Sequence, residues 1–254
     1  MVVEDSGLKT PVILIVFNRP ELTGKVFSRV AAARPERLLI VADGPRAGRV
    51  GERERCAEVR AIVSAVDWPC RVETNFADAN LGCRRRVISG LDWAFEQVEE
   101  AIILEDDILP DASFFPFCET MLERYRDDDR VAMVSGFNIG ADTVESTLKP
   151  VESYYFSALT HIWGWATWRR AWRHYDEHMT AWPEVRRVGG IDTVFSERSA
   201  RRYWTPILDG MYRGTGPNTW DYQWMFANIA GGRLSVTPAV NLVENIGLVR
   251  KRRM

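Results

Sequence analysis

Short, unbroken apolar runs separated by helical stripes constrain this chain more than any other feature. Val12 to Phe17, Leu38 to Ala42, Ala101 to Leu104 and Val131 to Val134 read as strands with no polar face, and Arg71 to Phe76 as a strand of alternating polarity. Between them, Pro20 opens a helix striped by Val26, Val30 and Ala33. Glu54 to Val66, Arg84 to Val98 and Phe114 to Tyr125 are further helices. Proline suits a first helical turn, where its fixed φ is correct and its missing N–H is not needed. Strands that lack a polar face must be covered on both sides, so the pattern predicts an α/β fold with a mainly parallel sheet between helices. Such sheets bind ligands beyond the carboxyl ends of their strands. That rule singles out Asn18-Arg19, Asp43 and Glu105-Asp106-Asp107.

Residues 11–137 form this alternating half, and residues 138–254 have a different texture. Tryptophan becomes dense there, and helices are expected near Trp165 to Tyr175, Arg198 to Tyr212 and Trp220 to Ile229. Strand segments follow near Leu234 to Val236 and Asn241 to Val243. No linker of Pro, Ser or Gly separates the halves, so the second reads as a smaller lobe of a single domain. At 254 residues and 46% apolar content the chain can bury one large core. Its formal net charge of -2 argues against a nucleic-acid partner.

No apolar stretch is long enough for a membrane span, and Met1 to Thr10 lacks the apolar block of a secretory signal. The four cysteines are scattered, as expected of reduced thiols. The expected location is therefore the cytoplasm. The Arg250-Lys251-Arg252-Arg253 run, ordinarily a solvated tail, also suits peripheral contact with the anionic inner face of a membrane.

Glu105-Asp106-Asp107 is the strongest chemical signal. Three consecutive carboxylates behind a buried strand repel one another unless cations or hydroxyl donors meet them. Hard oxygen ligands suit Mg2+ or Mn2+, held together with substrate phosphates. In extended chain Glu105 and Asp107 would face one way and Asp106 the other. Asp43, before Gly44-Pro45, is either a turn aspartate or an acceptor for a base N–H. Arg19 can fork onto a diphosphate. Arg84, Arg85 and Arg86 lie at a helix start, which favours anions; a solvated basic face is the alternative. In Trp220-Asp221-Tyr222-Gln223-Trp224, aromatic surroundings suit Asp221 to act as a general base, while a helix cap is the plainer role. His161, Trp163, Trp165 and Trp220 are candidates for an acceptor cleft, against the commoner role of such residues in a core.

In this order, the segments resemble the GT-A (Rossmann-like) glycosyltransferases, in pattern most of all the N-acetylglucosaminyltransferase I family and related bacterial nucleotide-diphospho-sugar transferases. The similarity runs with gaps from Pro11 to Gly247. It rests on Pro11 to Arg19, Val41-Ala42-Asp43, Leu91 to Phe95, and above all Ile102 to Ile108 with Pro110-Asp111 and Phe114-Phe115 behind. Gly164-Trp165, Trp220-Asp221 and Pro238 to Gly247 continue it.

The resemblance implies that Asp107 ligates the metal, Asp106 holds the ribose, Glu105 reaches the transferred sugar, Asp43 meets a uracil edge and Arg19 meets the phosphates. Asp221 becomes the base of an inverting displacement that moves a sugar from a nucleotide diphosphate, UDP first, to an acceptor hydroxyl. A carbohydrate of the cell surface or a glycosylated natural product would be that acceptor. The chain departs from the family at Tyr222-Gln223 and around Arg84, and no histidine after His178 is available as a metal ligand. Two other readings stand beside it. A sugar-phosphate nucleotidyltransferase would carry a glycine-rich first loop where Asn18-Arg19-Pro20-Glu21 stands. A noncatalytic carbohydrate-binding protein would need the tryptophans but not the acidic triplet.

Overall fold

The computed structural model describes residues 7–141 and 152–248. The tail Arg250 to Arg253 lies outside the described residues. In the first half β1 (Val12–Val16), α1 (Pro20–Ala33), β2 (Arg37–Ala42), α2 (Glu52–Ser64), β3 (Arg71–Phe76), α3 (Cys83–Gln97) and β4 (Glu100–Glu105) alternate as the apolar runs require. β5 (Ile108–Pro110), α4 (Phe114–Arg124) and β6 (Val131–Ser135) follow. Beyond them come β7 (Tyr154–Ser157), β8 (Trp165–Trp168) and the single turn α5 (Arg169–Trp172). The chain continues through α6 (Trp182–Arg187), α7 (Arg198–Tyr212), α8 (Asp221–Ala230), β9 (Leu234–Pro238) and β10 (Val243–Asn245).

Eight strands form one mainly parallel sheet in the order β3-β2-β1-β4-β8-β6-β9-β7, and β5 and β10 make a separate pair. Every residue of β1 is buried, and its side chains divide by strand alternation. Val12, Leu14 and Val16 join Leu38, Ile40, Ile102 and Leu104 in a core capped by Val26, Val30, Val59 and Phe114 from α1, α2 and α4. Ile13 and Ile15 face the opposite core, with Val87, Leu91 and Phe95 of α3. A third cluster, including Met179, Trp182, Leu208, Met211 and Phe226, packs α6, α7 and α8 together.

Register brings the candidate residues to one edge. β1 pairs in parallel with β2 and β4, with Val16 opposite Ala42 and Ile15 opposite Glu105. The residues that leave these strands therefore emerge side by side.

The second half adds β7 and α6, which the pattern did not suggest, and departs most from expectation at one further place. Trp165 to Trp168 is a strand, not the start of a helix, and β8 lies antiparallel between β4 and β6. All four of its residues are buried, and a run apolar on every side carries no period to separate strand from helix. The second half thus supplies a strand to the middle of the sheet, and the chain position 137/138 is no spatial seam. Among the described residues no helix is long and apolar enough to cross a membrane.

Candidate active site

The turn after β4 carries the acids. Asp106 and Asp107 form that turn rather than extended chain, so the expected alternation of their side chains does not hold. Arg19 reaches both. Its Nη2 donates to Asp106 Oδ1 in a short contact, and its Nη1 donates to Asp107 Oδ2 at 2.8 Å. Asp106 is 2% exposed, and its other oxygen accepts the Phe17 N–H at 3.3 Å. Burial and Asp107 raise the Asp106 pKa, with Arg19 opposing them.

The side-chain carboxyl of Glu105, at the strand end, has no hydrogen-bond partner among the described residues. Burial first, then the charges of Asp107 and Asp106, push its carboxyl up to about 7, with only Arg19 opposing them nearby. Partial burial works against the Arg19 charge, but Asp106 and Asp107 outweigh it and hold the guanidinium above its ordinary range.

The C-terminal segment closes over this turn. β10 pairs antiparallel with β5, and the Ile246 N–H donates to the Asp107 carbonyl at 2.9 Å. A Cβ at residue 247 would collide with the Asp107 carboxylate, so only glycine permits this approach.

Arg19, Asp43, Glu105 and Asp106 line one cavity of about 430 Å3, together with Phe17, Cys83, Arg86 and Asn218. A larger basic depression of about 700 Å3 adjoins it and shares Arg46 and Asn80. Asp43 is 5% exposed and accepts four protein donors: the N–H groups of Gly44, Leu81 and Gly82 and the Asn80 amide. Four donors fill the acceptor capacity of a carboxylate. Its evident role is to anchor the loop that leads into α3.

Asn18 turns aside to Glu52 Oε1 at 2.8 Å. Glu52 also takes the Arg46 side chain and N–H, and this pairing with Arg46 draws its carboxyl down to about 2. Arg84 faces away from the cavity, donating to the Glu177 carbonyl at 2.7 Å. Arg86, of the same basic run, lines the cavity but is committed to Asn75.

Asp221 begins α8 and accepts the Thr219 hydroxyl in a short contact. No helix N–H donates to its carboxylate among the described residues, so it does not cap the helix by a side-chain bond. Its charge acts on Glu105 and on the Cys83 thiol, which burial, then Glu105 and Asp221, push up to about 11. Asn218, three residues earlier, reaches the cavity wall beside Gly82.

Two acceptor candidates are corrected. Trp165 and Trp220 are 1% and 2% exposed and stack on each other, with centroids 5.5 Å apart, inside a cluster with Trp172 and Trp224. They hold the lobe together and offer no surface to a ligand. Trp163 packs on Phe137 at 4.6 Å and lines a separate groove with Asn241 and Asn245. His161 sits edge-on to Phe137, and burial lowers its pKa.

Sequence reasoning missed Cys83, Asn218, Arg46 and Glu52. Asn218 had the clearest signal, since it stands just before Trp220-Asp221.

No three metal-ligating side chains converge among the described residues. An uncompensated acid at Glu105 beside Asp107 nevertheless fits a divalent cation whose remaining ligands come from a substrate.

The sequence matches no family model, and no curated protein matches it. Solved structures do. A mannosyltransferase, PcManGT from Pyrobaculum calidifontis in complex with GDP-Man and Mn2+, superposes with a TM-score of 0.51 at 15% identity, over 97% of this chain and 59% of that one. GalNAc-T7 with UDP, GalNAc and Mn2+ superposes with a TM-score of 0.51 at 9% identity, over 92% of this chain and 43% of that one. The chain therefore has the GT-A fold. It spans about three fifths and two fifths of the lengths of these two proteins.

Proposed function

We propose that the protein is an inverting glycosyltransferase that moves a sugar from a nucleoside diphosphate, UDP-sugar foremost, to an acceptor hydroxyl with the help of Mn2+ or Mg2+. One observation carries the reading: a cavity at the carboxyl edge of β1, β2 and β4 lined by Arg19 and by Glu105 and Asp106 of the acidic turn. The GT-A neighbours, solved with a nucleotide or a nucleotide sugar and Mn2+, agree with it. The carbohydrate-binding alternative loses most of its support, because Trp165, Trp168, Trp172, Trp182, Trp220 and Trp224 are buried.

In this mechanism the donor lies with its base toward the loop anchored by Asp43 and its diphosphate toward Arg19. Asp107 would hold the divalent ion, which supplies positive charge to the departing diphosphate when bound. Arg19 adds charge-assisted hydrogen bonds that strengthen as negative charge grows there. Asp221 removes the proton from the acceptor hydroxyl, and Thr219 orients its carboxylate. The acceptor oxygen forms its bond to the anomeric carbon as the bond to the diphosphate breaks and the diphosphate keeps the electron pair. Attack from the face opposite the leaving group inverts the anomeric centre.

The test is incubation with Mn2+ and a panel of UDP-, GDP- and dTDP-sugars, following release of nucleoside diphosphate. Release from one member of the panel is expected. Absence of both release and binding across the panel would overturn the reading.

A further inference from the structure

Arg19 already sits where a metal-bound donor would need two things at once: a free Asp107 carboxylate and a cation on the diphosphate. Its guanidinium forks across Asp106 and Asp107. Asp106 is buried and also held by the Phe17 N–H, so it cannot turn away. Asp107 is hemmed by Gly247 on the side of the same oxygen, Oδ2, that Arg19 holds.

The backbone of Arg19 is fixed as well, since its carbonyl accepts both the N–H and the hydroxyl of Thr23, at 2.9 and 2.8 Å. Only the Arg19 side chain has room to move. It is 41% exposed and lines the donor cavity.

We propose that Arg19 is a positioning residue that serves as an internal counter-cation, holding Asp106 and Asp107 until the diphosphate draws it away and leaves Asp107 free for the divalent ion. The proposal rests on the metal and diphosphate reading of the site. A guanidinium and a divalent cation on the same carboxylate repel each other, so the ion binds more weakly while Arg19 stays in place. The fork geometry that suits two carboxylates suits a diphosphate equally. Metal and nucleotide then bind as a pair, each weakly alone: the metal alone faces Arg19 with no new partner to draw it off, and the nucleotide alone takes Arg19 from Asp106 and Asp107 and leaves them without a cation. Such coupling is reciprocal.

The test is Mn2+ binding by electron paramagnetic resonance on the full chain, with and without UDP, for wild type, Arg19→Met and Arg19→Lys. Without nucleotide, Arg19→Met should bind Mn2+ about tenfold tighter than wild type or more, with Arg19→Lys between them, as loss of a competing cation requires. The factor by which UDP strengthens Mn2+ binding should shrink in the same order. A variant that merely loosened the site would bind Mn2+ more weakly, so a gain is diagnostic.

Equal or weaker Mn2+ binding by both variants, with wild type still binding Mn2+ in the presence of UDP, would overturn the counter-cation role alone. If circular dichroism shows Arg19→Met unfolded, Arg19→Lys decides by the same criterion. No Mn2+ binding to wild type even with UDP would overturn the metal reading, and this proposal with it.

Discussion

The two halves of the chain use their conspicuous residues in opposite ways. In the first half, charged residues cluster at the ends of buried strands and stay in contact with a cavity: Arg19, Glu105 and Asp106 line it. In the second, the conspicuous tryptophans are spent on packing, with Trp165, Trp172, Trp220 and Trp224 forming one buried cluster beneath α8. The difference teaches that a charge at a strand end has few structural uses unless protein donors meet it, as they do at Asp43, since burial there is costly without a partner. A tryptophan has an obvious one, because each buries a large apolar area. Asp221 is the point where the halves meet. The tryptophan cluster fixes the start of its helix, and its charge acts on Glu105.

The comparison can be broken most decisively at that meeting point. Asp221→Asn should lower kcat by roughly 10²- to 10⁴-fold, the usual contribution of a general base, while leaving the donor Kd unchanged. Retained turnover measured by diphosphate release would remove Asp221 from the chemistry.

The second contrast concerns stability. Trp165→Ala should cost about 3–5 kcal/mol by urea denaturation, as expected for a large buried aromatic. Trp163→Ala should cost clearly less. Equal costs would show that the groove tryptophan is core as well.

A third sharpens the charged half. Glu52 is held down to about 2, below its ordinary value of 4.5, chiefly by its bonds to Arg46. Its stabilisation is therefore complete above about pH 4.5 and is lost as pH falls toward 2, where the folded protein also takes up the proton. Glu52→Gln should lower the urea midpoint at neutral pH and flatten its dependence on pH across that acid window. An unchanged slope would contradict the pairing.

The smallest effect is expected at Thr219. Thr219→Val removes one hydrogen bond to Asp221 and should slow turnover several-fold, in line with about 1 kcal/mol for such a bond, without altering the melting temperature.

How much of this was legible in the sequence follows from the same contrast. β1, β2 and β4 were readable because a strand covered on both faces is written as a continuous apolar run, and the acids follow the last of these at once. The pairing of Arg19 with Asp106 and Asp107 was not readable, nor that of Asn18 with Glu52. These contacts join residues 87, 88 and 34 positions apart, and no local period encodes them. Asp43 was found by its place at a strand end, but its four donors come mainly from the loop before α3, which only the fold brings near. Trp165 to Trp168 misled because a strand buried on both faces and a buried helix look alike in so short a stretch.

The acids after β4 and the Arg19 that spans them remain the centre of the reading. Calorimetric titration of UDP into wild type and Asp107→Ala, each with and without Mn2+, addresses them most directly. Wild type should bind UDP at least about tenfold tighter with Mn2+ than without, a coupling of roughly 1.4 kcal/mol, and Asp107→Ala should show the same weak binding in both conditions. Mn2+-dependent tightening that survives in Asp107→Ala would contradict the assignment of the metal to this turn.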